Sequence, residues 1–268
     1  AALAYGVSLR NGFVWDDLVL VKNNQFLQPH NSPGSFLGKA FTELTFGSLA
    51  GHFYRPLFAL SLWADAVVWG QQPAGFHATN LFLHGLVVGL LWLVVRRLSD
   101  PLTATLASVL FAVHPAHSEV AVFISGRVDS LALVPMLAAL WLFLDLNHGR
   151  SIWGQGMRHL GLLGAFGLAL AAKESALVLP GWLLAVGLHD PAAAGRRLVG
   201  RLSVSLARMT VVLAIAGIYV VWRWGTLTGL VAQALSSSSV ANRAWITLGA
   251  FGSYTMQALV PVPLGPER

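Results

Sequence analysis

The 268-residue chain is 56% hydrophobic and only 10% charged, with 17 Lys and Arg against 11 Asp and Glu and no cysteine. Soluble domains carry about 25% charged residues, so this composition and a mean hydropathy of +0.66 exclude that class, and the missing cysteines exclude disulfide scaffolds and thiolate sites. The net charge of +6 does not indicate a nucleic-acid partner, because the arginines sit in short loops between apolar runs, as the positive-inside rule of membrane proteins predicts.

In chain order, "AALAYGVSLR" (1–10) lacks an initiating Met and reads as the end of a first transmembrane helix cut short. The chain is therefore expected to be a fragment of a longer protein, forming one transmembrane domain over 1–268. Residues 11–54 read as a long polar and aromatic extracytoplasmic loop with a short helix around 35–46. "RPLFALSLWADAVVWG" (55–70) is apolar but short and holds Asp65, which suits a helix lying at the membrane interface. "FHATNLFLHGLVVGLLWLVV" (76–95) is free of charge, long enough to cross a bilayer, and ends at Arg96 and Arg97. Further spans are predicted at 102–114, 128–146, 159–172, 175–189, 202–223 and 242–260. Arg96, Arg97, Arg150, Arg158, Arg196, Arg197 and Arg201 then fall at alternate helix ends. Placing them in the cytoplasm puts the 11–54 loop and the turns near 115–127, 173–174 and 224–241 outside, with "SSSS" (236–239) as a linker there. The expected fold class is an all-α polytopic membrane protein.

The unusual polar residues collect on that outer side. Asp16 and Asp17 are adjacent carboxylates just past a membrane helix. Mutual repulsion raises one pKa, which suits a general base, although a solvated loop start or a helix cap uses the same residues. Arg55, before Pro56 at a helix start, suits a phosphate oxygen or an arginine reaching lipid headgroups. "VHPAHSEVAVFISGRVD" (113–129) carries His114, His117, Glu119, Arg127 and Asp129. The two histidines at i, i+3 can bind a metal or join a hydrogen-bonded network, and no further ligand spacing favours metal. Arg127 and Asp129 open the next helix, where ionisable groups are functional candidates. Lys173 and Glu174 form a local ion pair or present Lys173 to an anion. His77, Asn80 and His84 form one stripe that suits hydrogen bonds to neighbouring helices, with Asn80 and His84 as supporting residues. Carboxylates with phosphate-binding cations fit transfer of a group from a lipid phosphate to an outer acceptor hydroxyl.

The ordered set "FVWDD", "YRPLFALSLW", "FHATNLFLHGL", "HPAHSEVAVFISGRVDSLA", "KESALVLP" and "LVPVPLG" resembles the TMTC-like membrane mannosyltransferases, relatives of the protein O-mannosyltransferases within the GT-C superfamily. The resemblance implies a GT-C-type helix bundle and a polyprenyl-phosphate-linked sugar donor, expected to be mannose. It also implies protein Ser/Thr or other hydroxyl acceptors, and inversion at the anomeric carbon. It maps the catalytic acid to Asp16, with Asp17 as accessory acid. "YRPL" resembles the phosphate-contact segment of lipid-sugar transferases, with Arg55 in place of a lysine; Arg127 and Lys173 are further phosphate candidates by topology. Relatives carry additional helices and often a tetratricopeptide-repeat region. No cofactor follows from these residues, and a divalent metal stays open. The competing readings are a transporter or flippase of lipid-linked sugars and a non-catalytic membrane scaffold. The first predicts charges through the midplane and inverted repeats, and no repeat is visible in the sequence.

Overall fold

A computed structural model of the chain describes residues 2–24, 27, 54–146, 152–189, 195, 197–236 and 240–259. The described residues are helical, with no strand among them. They form α1 (Ala2–Tyr5), α2 (Pro56–Trp69), α3 (Pro73–Leu98), α4 (Pro101–Val113), α5 (Ser118–Val122), α6 (Arg127–Asp145), α7 (Ile152–Ala172), α8 (Leu179–His189), α9 (Leu198–Ser236) and α10 (Val240–Leu259). The chain divides into two compact units, residues 1–113 with 117–212, and residues 114–116 with 213–268.

Three helices among the described residues are long and apolar enough to cross a membrane: α3, α6 and the Leu198–Trp224 part of α9. The protein is thus an all-α membrane protein. The predicted spans at 76–95, 128–146 and 202–223 coincide with these helices. The predicted span at 102–114 is the 13-residue α4, about 20 Å long against a hydrocarbon core of about 30 Å. That at 175–189 is broken into a 3-10 turn, Glu174–Val178, and the 11-residue α8. That at 159–172 is the last two thirds of α7, whose earlier residues include Gln155 and Arg158. The turn expected across 224–241 is helical through Ser236, because "TLTGLVAQALS" contains no proline to stop α9. The short helix expected around 35–46 lies outside the described residues, as do Arg150 and Arg196.

In the first unit α6 is the central helix. Its Ala132, Met136, Leu140 and Phe143 are buried, and it packs against α3, α7 and α8. Gly187 of α8 permits a close approach there, since a Cβ would come within 2.4 Å of Ser205 Oγ of α9 and 3.2 Å of the Phe143 ring. Outward-facing α4 residues such as Leu102, Leu106 and Leu110 are exposed. Water would penalise that patch, whereas lipid solvates it. In the second unit Ile218, Val221, Trp222 and Trp224 of α9 and Trp245, Leu248 and Phe251 of α10 are likewise exposed.

Polar contacts fix the direction of the helices in the first unit. Arg97 Nη2 at the end of α3 donates to Asp145 Oδ1 at the end of α6 at 2.9 Å, and Arg158 Nε of α7 donates to Asp145 Oδ2 at 2.6 Å. At their other ends, Arg127 of α6 meets Asn80 of α3, and Asp129 of α6 meets Lys173 just past α7. So α3 and α6 run parallel with α7 antiparallel, and the basic end and the mixed-charge end lie roughly 25 Å apart along α6 at 1.5 Å per residue. Asp100 caps α4, accepting from the Leu102 and Thr103 amides at 2.9 and 3.0 Å. Its hydrogen bonds from Thr103 hold the carboxyl at about 2.

The helix α2 lies across the mixed-charge end. Its start, Arg55, meets Glu174, and Asp65 near its finish meets Arg127. Asp65 itself departs from the interfacial reading, because it is buried and ion-paired rather than turned to water or headgroups. An apolar cluster of Val21, Leu27, Phe58, Leu62, Phe76 and Ile124, with Phe13 and Trp63 packed on it, seals α2 against the acidic loop.

Candidate active site at the acidic loop

The acidic loop turns on Trp15, whose φ of 49° lies in the left-handed region. A bulky side chain held there stores about 1–3 kcal/mol of strain, a feature that clusters at functional sites. The consequence is a difference in exposure between neighbours. Asp16 is exposed, whereas Asp17 is fully buried. Asp17 Oδ2 accepts from the Val14 amide at 3.4 Å, and Oδ1 from the Ser125 amide at 3.2 Å. Burial raises the Asp17 pKa above the usual carboxylate range, and the two amide bonds pull against that shift. With the folded value above the unfolded one, this group's contribution to stability is present below the unfolded pKa. It is lost as the pH rises through the folded value.

Ser125 belongs to a tight turn that needs Gly126. A Cβ at Gly126 would sit 2.5 Å from the Glu119 carbonyl oxygen and 3.0 Å from Val120 Cα, both backbone atoms that cannot rotate away. Gly126→Ala is therefore expected to push the turn open and release the Asp17–Ser125 bond. The loss is expected at about 1–3 kcal/mol, read as a lowered denaturation midpoint in detergent with faster amide exchange at Ser125.

The segment Ser125–Asp129 then gathers the remaining groups. Arg127 is fully enclosed. Its Nη1 donates to Asp65 Oδ2 at 2.5 Å, its Nε to Asn80 Oδ1 at 2.8 Å and its Nη2 to the Phe76 carbonyl at 2.8 Å. The guanidinium also lies 5.7 Å from the Phe76 ring centroid. Thr79 donates to the other Asp65 oxygen at 2.7 Å, and Asn80 Nδ2 donates to the Phe123 carbonyl at 2.6 Å. Arg127 thus has an architectural position in place of the phosphate-facing one expected. Two residues on, Asp129 accepts from Lys173 Nζ. Beside it, Arg55 Nη2 donates to Glu174 Oε2 at 3.1 Å. These two outer pairs are partly accessible, with Asp129 45% exposed and Arg55 and Glu174 each 20%, so an incoming anion can reach their cations.

His114 and His117, the two histidines at i, i+3, each make their own local contacts. His117 Nδ1 lies 2.8 Å from the Phe111 carbonyl, and its ring stacks on Phe111 at 3.9 Å. His84 Nε2 lies 3.2 Å from the Ala112 carbonyl. Both therefore anchor the end of α4. His114 accepts the Ala116 amide at 3.2 Å in its own local turn, and Glu119 is exposed. Among the described residues no group of three His, Asp or Glu is placed to hold a metal ion. A cleft of about 580 Å³ is lined by Gly12, Phe13, Lys22, Gln71 and Pro73, bordering the acidic loop and the α2–α3 turn.

Two residues escaped prediction as site members. Asp65 gave a signal, a lone charge in an apolar helix, but its partner 62 residues away is invisible in sequence. His77 shared the stripe with Asn80 and His84, yet it is buried with neither ring nitrogen in a hydrogen bond.

The chain is 34% identical over 160 residues to the mouse (Mus musculus) protein O-mannosyl-transferase TMTC1, covering 57% of this chain and 16% of the mouse protein. It is 30% identical over 210 residues to the Drosophila melanogaster protein O-mannosyl-transferase Tmtc3, covering 67% of this chain and 22% of that protein. With Drosophila melanogaster Tmtc1 the identity is 32% over 195 residues, covering 71% and 22%. The chain thus spans about a fifth of the length of these curated relatives. No family model and no solved structure matches it. Through these matches, on a helical membrane frame with its acidic loop, the chain is a relative of the TMTC protein O-mannosyl-transferases.

Proposed function

We propose that this chain carries the catalytic end of a GT-C-type membrane O-mannosyltransferase, moving mannose from a polyprenyl-phosphate donor to a protein Ser or Thr hydroxyl on the extracytoplasmic side. The observation that carries this reading is the convergence on Ser125–Asp129 of a buried–exposed carboxylate pair and two accessible cation–carboxylate pairs. Asp16, the exposed member, takes the acceptor's hydroxyl proton. The freed oxygen attacks the anomeric carbon on the face opposite the phosphate, and the sugar–phosphate bond breaks with its electron pair leaving on the phosphate, which inverts the configuration. Asp17 holds the loop that aims Asp16.

The departing phosphate gains a negative charge, and Arg55 and Lys173 are the groups that stabilise it. Their present partners, Glu174 and Asp129, keep both cations placed until the donor's phosphate competes for them. Arg127, with Asp65 and Asn80, is the strut that sets α2, and so Arg55, over the site. Little favours a flippase, since α6 between Asp129 and Asp145 is apolar apart from Ser130 and offers no charged path through the midplane.

The test is transfer from polyprenyl-phosphate-mannose to a Ser/Thr-rich peptide by the full-length protein in liposomes. Wild type is expected to transfer. Arg55→Ala is expected to raise the donor KM about ten- to a hundredfold, the worth of one charge-assisted hydrogen bond. A wild-type protein that transfers no mannose sinks the reading, and an unchanged donor KM removes Arg55 from the phosphate site.

A further inference from the structure

The cleft beside the acidic loop lies between three segments that the fold holds in place. Gly12 and Phe13, at the start of that loop, form one side. A second side is the π-helical turn Leu18–Lys22, closed by the Asn23 amide on the Leu18 carbonyl at 2.8 Å. Single π turns are frequent at functional sites. Val21 is buried in the apolar cluster beneath α2, and Asn24 Nδ2 donates to the Leu20 carbonyl at 3.0 Å. Lys22 is thereby held at the surface by its neighbours. The third side is the α2–α3 turn, which carries Gln71 and Pro73. Gly70 makes that turn at a φ of 62°, a left-handed conformation that suits glycine. Its amide donates to the Ala66 carbonyl at 3.0 Å.

About 580 Å³ lies between these segments, within the roughly 300–1,000 Å³ of ligand sites. The lining is mixed: exposed Lys22 supplies an ammonium, exposed Gln71 an amide, and Phe13 and Pro73 apolar surface. Among the described residues no carboxylate lines the cleft, and no ion pair takes Lys22. Gly12 lies outside the left-handed region, and a Cβ there would meet nothing within 4 Å. Neither backbone strain nor packing therefore demands a glycine at this position, and its missing side chain leaves the cleft open.

We propose that this cleft is the subsite for the acceptor polypeptide, and that Lys22 selects segments with an acidic side chain beside the receiving Ser or Thr. The proposal rests on the reading of Asp16 as the base that takes the acceptor's proton. An acceptor has to reach that base, and Gly12 lies four residues before it on the same loop. The donor's phosphate is served elsewhere, by Arg55 and Lys173 around Ser125–Asp129. The Gln71 amide can both donate to and accept from a peptide backbone, while Phe13 and Pro73 take its apolar parts. Lys22 brings the lining's charge, so discrimination is electrostatic: a neighbouring Glu or Asp is attracted, a Lys or Arg repelled.

Fluorescence anisotropy of labelled Ser/Thr peptides against the full-length protein in nanodiscs tests the proposal without turnover. The peptides differ only in one flanking residue, Glu, Gln or Lys. Wild type is expected to hold the Glu peptide about two- to fivefold tighter than the Gln peptide, the worth of one exposed ion pair. Lys22→Glu is expected to invert the order, so that the Lys peptide binds tightest, and added salt to shrink both preferences. An order unchanged by the charge reversal overturns the proposal. Gly12→Leu is expected to weaken all three peptides together, at an unchanged denaturation midpoint, by filling the cleft. Binding unaltered in that variant overturns the proposal too.

Steady-state transfer separates the two anions that Lys22 can meet. Lys22→Ala is expected to raise the KM for the Glu peptide about two- to fivefold and to leave the donor KM in place. A rise in the donor KM alone assigns Lys22 to the donor's phosphate and overturns the proposal. Absence of transfer by wild type sinks the catalytic reading only, since the binding order is read without turnover.

Discussion

Asp16→Asn is expected to lower mannose transfer by roughly 10²–10⁴-fold, the range for loss of a general base, while leaving the protein folded. The asymmetry of the acidic pair underlies this. Asp16 is exposed, so exchanging its carboxylate for an amide breaks no contact that the fold depends on. Asp17 accepts one amide on each oxygen, and an Asn has only one acceptor oxygen. Asp17→Asn therefore turns an NH₂ toward a backbone N–H and is expected to lower both stability and activity. The two variants are compared by single-turnover transfer beside thermal denaturation in detergent. Loss of activity at unchanged midpoint for Asp16→Asn, with a lowered midpoint for Asp17→Asn, supports the assignment. Undiminished turnover in the Asp16 variant removes it as the base.

Arg127→Met is expected to be among the most destabilising single changes in the chain. It leaves the Asp65 carboxyl, only 7% exposed, without its cation, and breaking one side of a buried ion pair costs about 3–5 kcal/mol. It also strands the Asn80 oxygen and the Phe76 carbonyl. The paired change Asp65→Leu with Arg127→Met removes both charges together. It is expected to recover most of the loss, since apolar replacement of a whole buried pair is often close to neutral. Denaturant midpoints of the two singles and the double form a cycle, and additive losses would show that the two residues do not act as a pair. Recovery of stability without recovery of donor binding is the signature expected if Asp65 and Arg127 position Arg55 through α2.

Much of the frame was readable from composition and pattern. A charge-free run closed by Arg96 and Arg97 can only be a helix in lipid, because every backbone group must be satisfied within the segment. The alternation of basic loops placed Arg97 and Arg158 on one end, and they meet there through Asp145. Pro56 marked where α2 starts. The site was legible as a set of residue types: the Asp pair, the "SGRVD" stretch and the Lys173-Glu174 step.

Where each residue sits, and which partner it meets, was decided only by the tertiary structure. Asp16 and Asp17 are chemically identical neighbours. Which one faces water depends on the left-handed turn at Trp15 and on an amide 108 residues away at Ser125. Arg127, Arg55 and Lys173 are three cations of similar promise in sequence. Packing of α2 across the ends of α3, α6 and α7 buries the first in a closed network and leaves the other two within reach of an anion. Hydrophobic periodicity and loop charge are local properties, so one chain position at a time suffices to read them. Burial of a charge and the identity of its partner are set by contacts distant in sequence, whose energies exist only once the helices have packed.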